Sequence, residues 1–180
     1  MLQKYNFYRV LSVFLSNPSR EFGWKELSEK LKLGPPSTKK YIDELKKEGI
    51  IEEKKFGARS LYRANRESRK FRLFMKFDMV LRLEDSGLLE FLDKFYGYPA
   101  VLLFGSRATG EAVEGSDIDI AVITESKKDA DISNFEKKFR QEIQLFRFSK
   151  EEFMKLRKEN PSIYDGLRNG IVISGRLDVS

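Results

Sequence analysis

The chain has 180 residues, 34 Lys and Arg against 28 Asp and Glu, a net charge of +6, and neither Cys nor His. Those two absences exclude disulfide frameworks, thiol catalysis, Cys- or His-ligated metal sites and imidazole general bases, so carboxylates, hydroxyls, amides, Lys and Arg must carry any chemistry. A composition of 41% apolar and 13% aromatic residues supports buried cores and excludes global disorder.

The N-terminal run MLQKYNFYRVLSVFLSNP carries charges inside its apolar stretch and lacks a small-residue cleavage site, so it predicts no leader. No segment approaches the roughly 18–20 apolar residues of a membrane span. A cytoplasmic protein is the expectation. Tyr5, Val10, Leu11 and Phe14 recur at helical spacing until Asn17-Pro18-Ser19 stops them. Trp24, Leu27 and Leu31 mark a short second helix, Pro35-Pro36 turn the chain, and a third helix carries Tyr41, Ile42 and Leu45 inward up to Gly49. The runs IIEEKK and SLYRAN around FGAR predict a hairpin with Gly57 at its tip. Residues 1–72 hold 18 Lys and Arg against 9 Asp and Glu, and the remainder holds 16 against 19. A basic part followed by a mildly acidic one predicts two modules, the first suited to a polyanion.

The element order over residues 1–65 resembles a winged helix-turn-helix domain of prokaryotic transcription regulators. The resemblance implies double-stranded DNA as a partner, with the third helix in the major groove and the hairpin wing on the backbone or minor groove. Thr38, Lys39, Lys40 and Lys47 on the third helix, and Lys54, Lys55 and Arg59 at the wing, are the candidate DNA-binding residues. Phosphate neutralisation by such cations gives salt-dependent affinity. Proteins of this kind often pair on two-fold sites, so a homodimer is expected.

The segment from Arg66 to Asp85 reads as a helix with apolar residues most of the way round, which predicts a buried helix that packs the two modules or forms a dimer seam. A shorter helix, SGLLEFLDKFYG, follows. Ala100–Phe104 is an apolar run between Pro99 and Gly105, the pattern of a buried strand. In DIDIAVI, period-two alternation places Asp117 and Asp119 on one face and the Ile/Val set on the other. Adjacent carboxylates repel, and a cation that takes oxygen ligands, Mg²⁺ first among them, relieves this. Gly105-Ser106 makes a sharp turn whose N–H groups can receive a phosphate. It is no Walker A loop, because Glu111-Ala112 follows Gly110 where Lys and Ser or Thr belong.

The run GSRATGEAVEGSDIDIAV resembles the nucleotidyltransferase signature of the DNA polymerase β superfamily in its minimal form, and NPSIYDGLRNGIVISG resembles the closing helix and strand of these domains. The resemblance implies an NTP substrate, with ATP the expected one. It places nucleotide-binding residues at Gly105, Ser106, Arg107 and Ser116, and catalytic, metal-binding residues at Asp117 and Asp119. Arg107 faces phosphate or forms an ordinary salt bridge. Many members carry a third carboxylate on a later strand; here that strand is EIQLFRFS, the equivalent position holds Gln144, and Glu142 is the candidate catalytic substitute.

The expected fold is α+β in two domains: a winged helix at 1–66, a connecting helix at 67–84, and a minimal nucleotidyltransferase at 85–180. The last is a mixed sheet with helices on one face. Two functions stay open: Mg-dependent transfer of a nucleoside monophosphate to a protein or small-molecule acceptor, or a DNA-binding transcription regulator that senses nucleotide without turnover.

Overall fold

Helical spacing of apolar side chains produces the first helices of the computed structural model, which describes residues 5–177. Helix α1 (Asn6–Ser16) buries Val10, Leu11 and Phe14; α2 (Trp24–Leu31) buries Leu27; α3 (Pro35–Lys47) opens on two prolines and buries Ile42 and Leu45. Pro suits those first positions because their N–H groups have no intrahelical acceptor. A two-residue strand, β1 (Phe22–Gly23), precedes α2, too short to leave any periodic signal. Strands β2 (Ile51–Phe56) and β3 (Arg59–Ala64) form the hairpin, with Gly57 at φ +57 in a two-residue turn that favours glycine. The sheet order is β1-β3-β2, all antiparallel. Phe14 and Phe22 meet edge to face at 5.6 Å in the core, and each such buried ring stabilises by about 1.5–3 kcal/mol.

Lys46 of α3 donates to Glu53 of β2 at 2.5 Å, tying helix to hairpin. This hydrogen bond holds the Glu53 carboxyl below its ordinary range and the Lys46 ammonium above its own. The Glu53 contribution is therefore present above the unfolded carboxylate pKa and lost as pH falls through the folded one; that of Lys46 disappears as pH rises through its raised value. Thermal melts against pH should show the acid-side loss reduced in Glu53→Gln.

Helix α4 (Arg69–Ser86) starts two residues later than the connecting helix expected at 67–84, and the division between two compact units, Met1–Asp78 and Met79–Ser180, falls inside it. Phe71, Met75, Met79 and Leu83 are buried at four-residue intervals, whereas Leu73 is 53% and Phe77 46% exposed. The expectation of a helix buried most of the way round is therefore corrected. Its apolar residues form two stripes, and the core covers only one.

The second unit is built from α5 (Leu88–Tyr96), β4 (Ala100–Phe104), α6 (Gly105–Thr109), β5 (Ile118–Ile123), α7 (Ser133–Phe139), β6 (Ile143–Phe148), α8 (Lys150–Glu159), α9 (Pro161–Arg168) and β7 (Ile171–Ser174). The strand order is β6-β5-β4-β7, with β5 parallel to β6 and β4 antiparallel to both its neighbours, a mixed sheet in an α+β chain. Val101, Leu103, Ile118, Ile120 and Val122 pack with α5 and Phe139 of α7 on one face. Ala100, Leu102, Phe104, Ala121 and Ile123 pack with Phe153 of α8 and Leu167 of α9 on the other. Helices thus lie on both faces rather than one, because β4 is apolar at every position and each face must be covered. Among the described residues no helix is long and apolar enough to cross a membrane.

Candidate active site

Strand register brings the acidic pair to the glycine corner. Asp117 immediately precedes β5 and Asp119 is its second residue; both are half-buried on the Ala121/Ile123 face. Asp119 pairs with Phe104 across β4, so the residue that leaves β4, Gly105, arrives beside its carboxylate. Gly105 has φ +66, and an ideal Cβ built there would lie 2.1 Å from Asp119 Oδ2. Only glycine supplies both that conformation and that space. Helix α6 then runs five residues before Gly110 stops it in the left-handed region.

On the other side, β6 sets Gln144 opposite Asp119, and Gln144 Nε2 donates to Asp117 Oδ2 at 2.9 Å. Glu142 is exposed and lies ahead of β6, where its backbone carbonyl accepts from Ile118 N–H at 3.0 Å. Gln144 is thus the β6 side chain that reaches the acid pair; Glu142 shares its face by alternation but stands beyond the end of the strand. An amide cannot serve as a general base.

Arg107 is 7% exposed, and its Nη2 donates to the Ser116 carbonyl at 2.7 Å. Ser116 Oγ accepts from Val113 N–H at 3.0 Å, and Ser116 N–H donates to Val113 O at 3.1 Å. Gln141 Nε2 adds a 3.4 Å hydrogen bond to the Ser116 carbonyl. These contacts brace the loop that leads from α6 into the Asp117 position. A buried guanidinium bonded to a backbone carbonyl leaves no spacing signature, so this bracing was not readable from the sequence.

Burial pushes the Asp119 carboxyl above its ordinary range, the Asp117 charge raises it further, and the Arg107 charge partly offsets both. Two crowded carboxylates in a half-buried corner suit a hard divalent cation. Among the described residues, no group of three or more acidic side chains gathers for a metal. Mg²⁺ commonly takes one or two carboxylates plus substrate phosphates, so the donor set fits that ion.

In the first unit, Thr38 is fully buried and its Oγ1 donates to the Gly34 carbonyl at 3.2 Å. The expectation that it faces DNA is corrected: positions 38, 42 and 45 share one helical stripe, and Ile42 and Leu45 are core. Lys39, Lys40, Lys47, Lys54, Lys55 and Arg59 are exposed. Lys39 Nζ lies 4.5 Å above the Trp24 ring and Lys54 Nζ 3.3 Å from Glu21, so both are oriented by neighbours.

A model of the family described as polymerase beta, nucleotidyltransferase matches residues 87–177, just over half the chain. The chain belongs to that family. The matched stretch contains the whole mixed sheet, the glycine corner and both aspartates. No curated protein matches the chain. Among solved structures, the chain is similar to the transcriptional regulator BldR from Sulfolobus solfataricus at 15% identity, covering 53% of this chain and 78% of that one, with a TM-score of 0.33. It is also similar to a possible transcriptional regulator from Methanosarcina mazei Go1 at 17% identity, covering 49% and 76%, with a TM-score of 0.32. A third structure, the archaeal chromatin protein TrmBL2, is 16% identical over 90% of this chain and 73% of that one, with a TM-score of 0.31. Likenesses at this level establish neither a shared fold nor a shared activity.

Proposed function

We propose that the second unit transfers a nucleoside monophosphate from an NTP, ATP being the expected donor, to an acceptor hydroxyl on a protein or small molecule. The observation that carries this reading is the glycine corner, where Asp119 Oδ2 occupies the space a side chain at position 105 would need. Backbone and carboxylate can therefore engage one polyphosphate together. The N–H groups at Gly105 and Ser106, the first of α6, lack intrahelical acceptors and would receive phosphate oxygens. Asp117 and Asp119 would hold Mg²⁺, which when bound neutralises phosphate charge. Gln144 orients Asp117, and Arg107 with Ser116 supports the loop beneath it. In the reaction the acceptor oxygen bonds to the α-phosphorus, the bridging α–β P–O bond breaks, pyrophosphate leaves, and the hydroxyl proton passes to water.

Incubation with α-labelled NTPs, Mg²⁺ and cell extract should release pyrophosphate and label an acceptor, and both signals should vanish in Asp117→Ala. The regulator reading has one observation in its favour, the amide of Gln144 where a carboxylate would serve as base. Nucleotide binding that shifts DNA affinity, with no label on any acceptor, would replace the first reading with the second.

We further infer that the first unit is a winged helix-turn-helix bound to duplex DNA through the exposed Lys39, Lys40 and Lys47 of α3 and Lys54, Lys55 and Arg59 of the hairpin. The helix, helix, turn, helix, hairpin order and the basic excess support this. Lys39→Glu/Lys40→Glu should abolish duplex binding at low salt and lower the log–log salt slope of any residual affinity by about 2. Unchanged titrations would remove DNA from the proposal.

A further inference from the structure

Taking the nucleotidyl-transfer reading as its basis, we propose that the site holds a single divalent cation, on the side of β5 that carries the glycine corner, and that the amide of Gln144 closes the other side to a second ion. Strand β5 lies between β4 and β6, so the acid pair has two flanks of different chemistry. On the β4 flank, Asp119 stands opposite Phe104, and Gly105 follows with Asp119 Oδ2 in the space a Cβ would need. That flank offers carboxylate oxygen beside open backbone. An ion there can fill its remaining positions with phosphate oxygens and water.

The β6 flank is different. Its register sets Gln144 opposite Asp119, and Gln144 Nε2 donates to Asp117 Oδ2 at 2.9 Å, which leaves Asp117 Oδ1 for an ion shared with Asp119. An amide N–H presents positive charge where a second cation would need an oxygen. Rotating the amide to present Oε1 would replace that hydrogen bond by a contact between two oxygens. Paired divalent ions stand about 3.5–4 Å apart and need anionic oxygens between and around them. Glu142 supplies none, because it precedes β6, and among the described residues no third acid gathers with the pair. Arg107, 7% exposed, already offsets part of the charge on Asp119, which is work a second cation would otherwise do. Gln144 is thus a positioning residue: it acts through Asp117 and not on the reacting atoms.

Manganese binding to the full chain tests this, counted by electron paramagnetic resonance and calorimetry, with Mn²⁺ alone and with an α,β-methylene NTP that cannot be cleaved at that bond. The wild type is expected to saturate at one Mn²⁺ per bound nucleotide, without dipolar broadening between ions. Gln144→Glu should take a second Mn²⁺ and bind free Mn²⁺ about tenfold or more tightly, because ligand charge sets affinity. Gln144→Met, neutral and similar in length, should stay at one. Circular dichroism melts verify that every variant folds. Without divalent ions Gln144→Glu should melt below the wild type, and Mn²⁺ should restore the difference, a response that a merely structural role would not give. Two Mn²⁺ in the wild type, or one in Gln144→Glu, with nucleotide bound in each case, would overturn the single-ion site and leave nucleotidyl transfer standing. A wild type that binds no nucleotide would overturn nucleotidyl transfer, and the single-ion site with it.

Discussion

Asp119→Asn is expected to silence nucleotidyl transfer, by about a thousandfold, and at the same time to raise the melting temperature of the second unit by a few degrees. The side chains are nearly isosteric, so the Gly105 contact survives and the charge alone is removed. That charge is held at a cost: burial and the neighbouring Asp117 both lift the Asp119 carboxyl above its ordinary range. An acid whose folded pKa is raised penalises the fold at pH above that value, and the penalty disappears as pH falls through it. The stability gap between variant and wild type should therefore be widest near neutrality and close on acidification. Mg²⁺ should raise the melting temperature of the wild type and leave the variant unmoved, since only a species that binds the native state stabilises it. Calorimetry across pH with a pyrophosphate-release assay reads both sides. A variant that melts lower than wild type, or that still turns over, would show that Asp119 is an ordinary surface acid.

Gly105→Ala should damage both the fold and the candidate site of the second unit. The added Cβ would lie 2.1 Å from Asp119 Oδ2, and the backbone stands at φ +66. A non-glycine residue there costs about 1–3 kcal/mol in backbone strain, and displacement of the carboxylate adds to it. Transfer should be lost together with stability, because the atom displaced is one the reaction needs. The two effects separate in a double-mutant cycle: in an Asp119→Ala background the clash is gone and Gly105→Ala should cost the backbone component alone. Equal costs in both backgrounds would mean that corner and carboxylate act independently, and the phosphate-and-cation reading would lose its geometric basis.

The local features of this chain were readable in order. Alternation through Asp117-Ile118-Asp119-Ile120 places two carboxylates on one face whatever the rest of the chain does, and the structure has them there. The helices and hairpin of the first unit follow from spacing and turn residues in the same local way. Thr38 was legible too, because its four-residue offset from Ile42 puts it on the core stripe of α3. Gln144 stands where the resemblance implies a third carboxylate, but its contact with Asp117 needed the parallel register of β5 and β6.

What the amino-acid sequence determined by itself is whatever depends on neighbours along the chain: helix and strand periods, the Gly105 turn, the pairing of the two aspartates, and the exclusion of His and Cys chemistry. Tertiary structure alone decided that Arg107 braces the Ser116 loop, that Glu142 falls beyond the strand end, that helices cover both faces of the sheet, and that one stripe of α4 is left to solvent. The physical reason is common to all four. Each depends on which distant segment packs against a residue, and apolar burial is non-directional, so periodicity shows which face seeks cover without showing what supplies it.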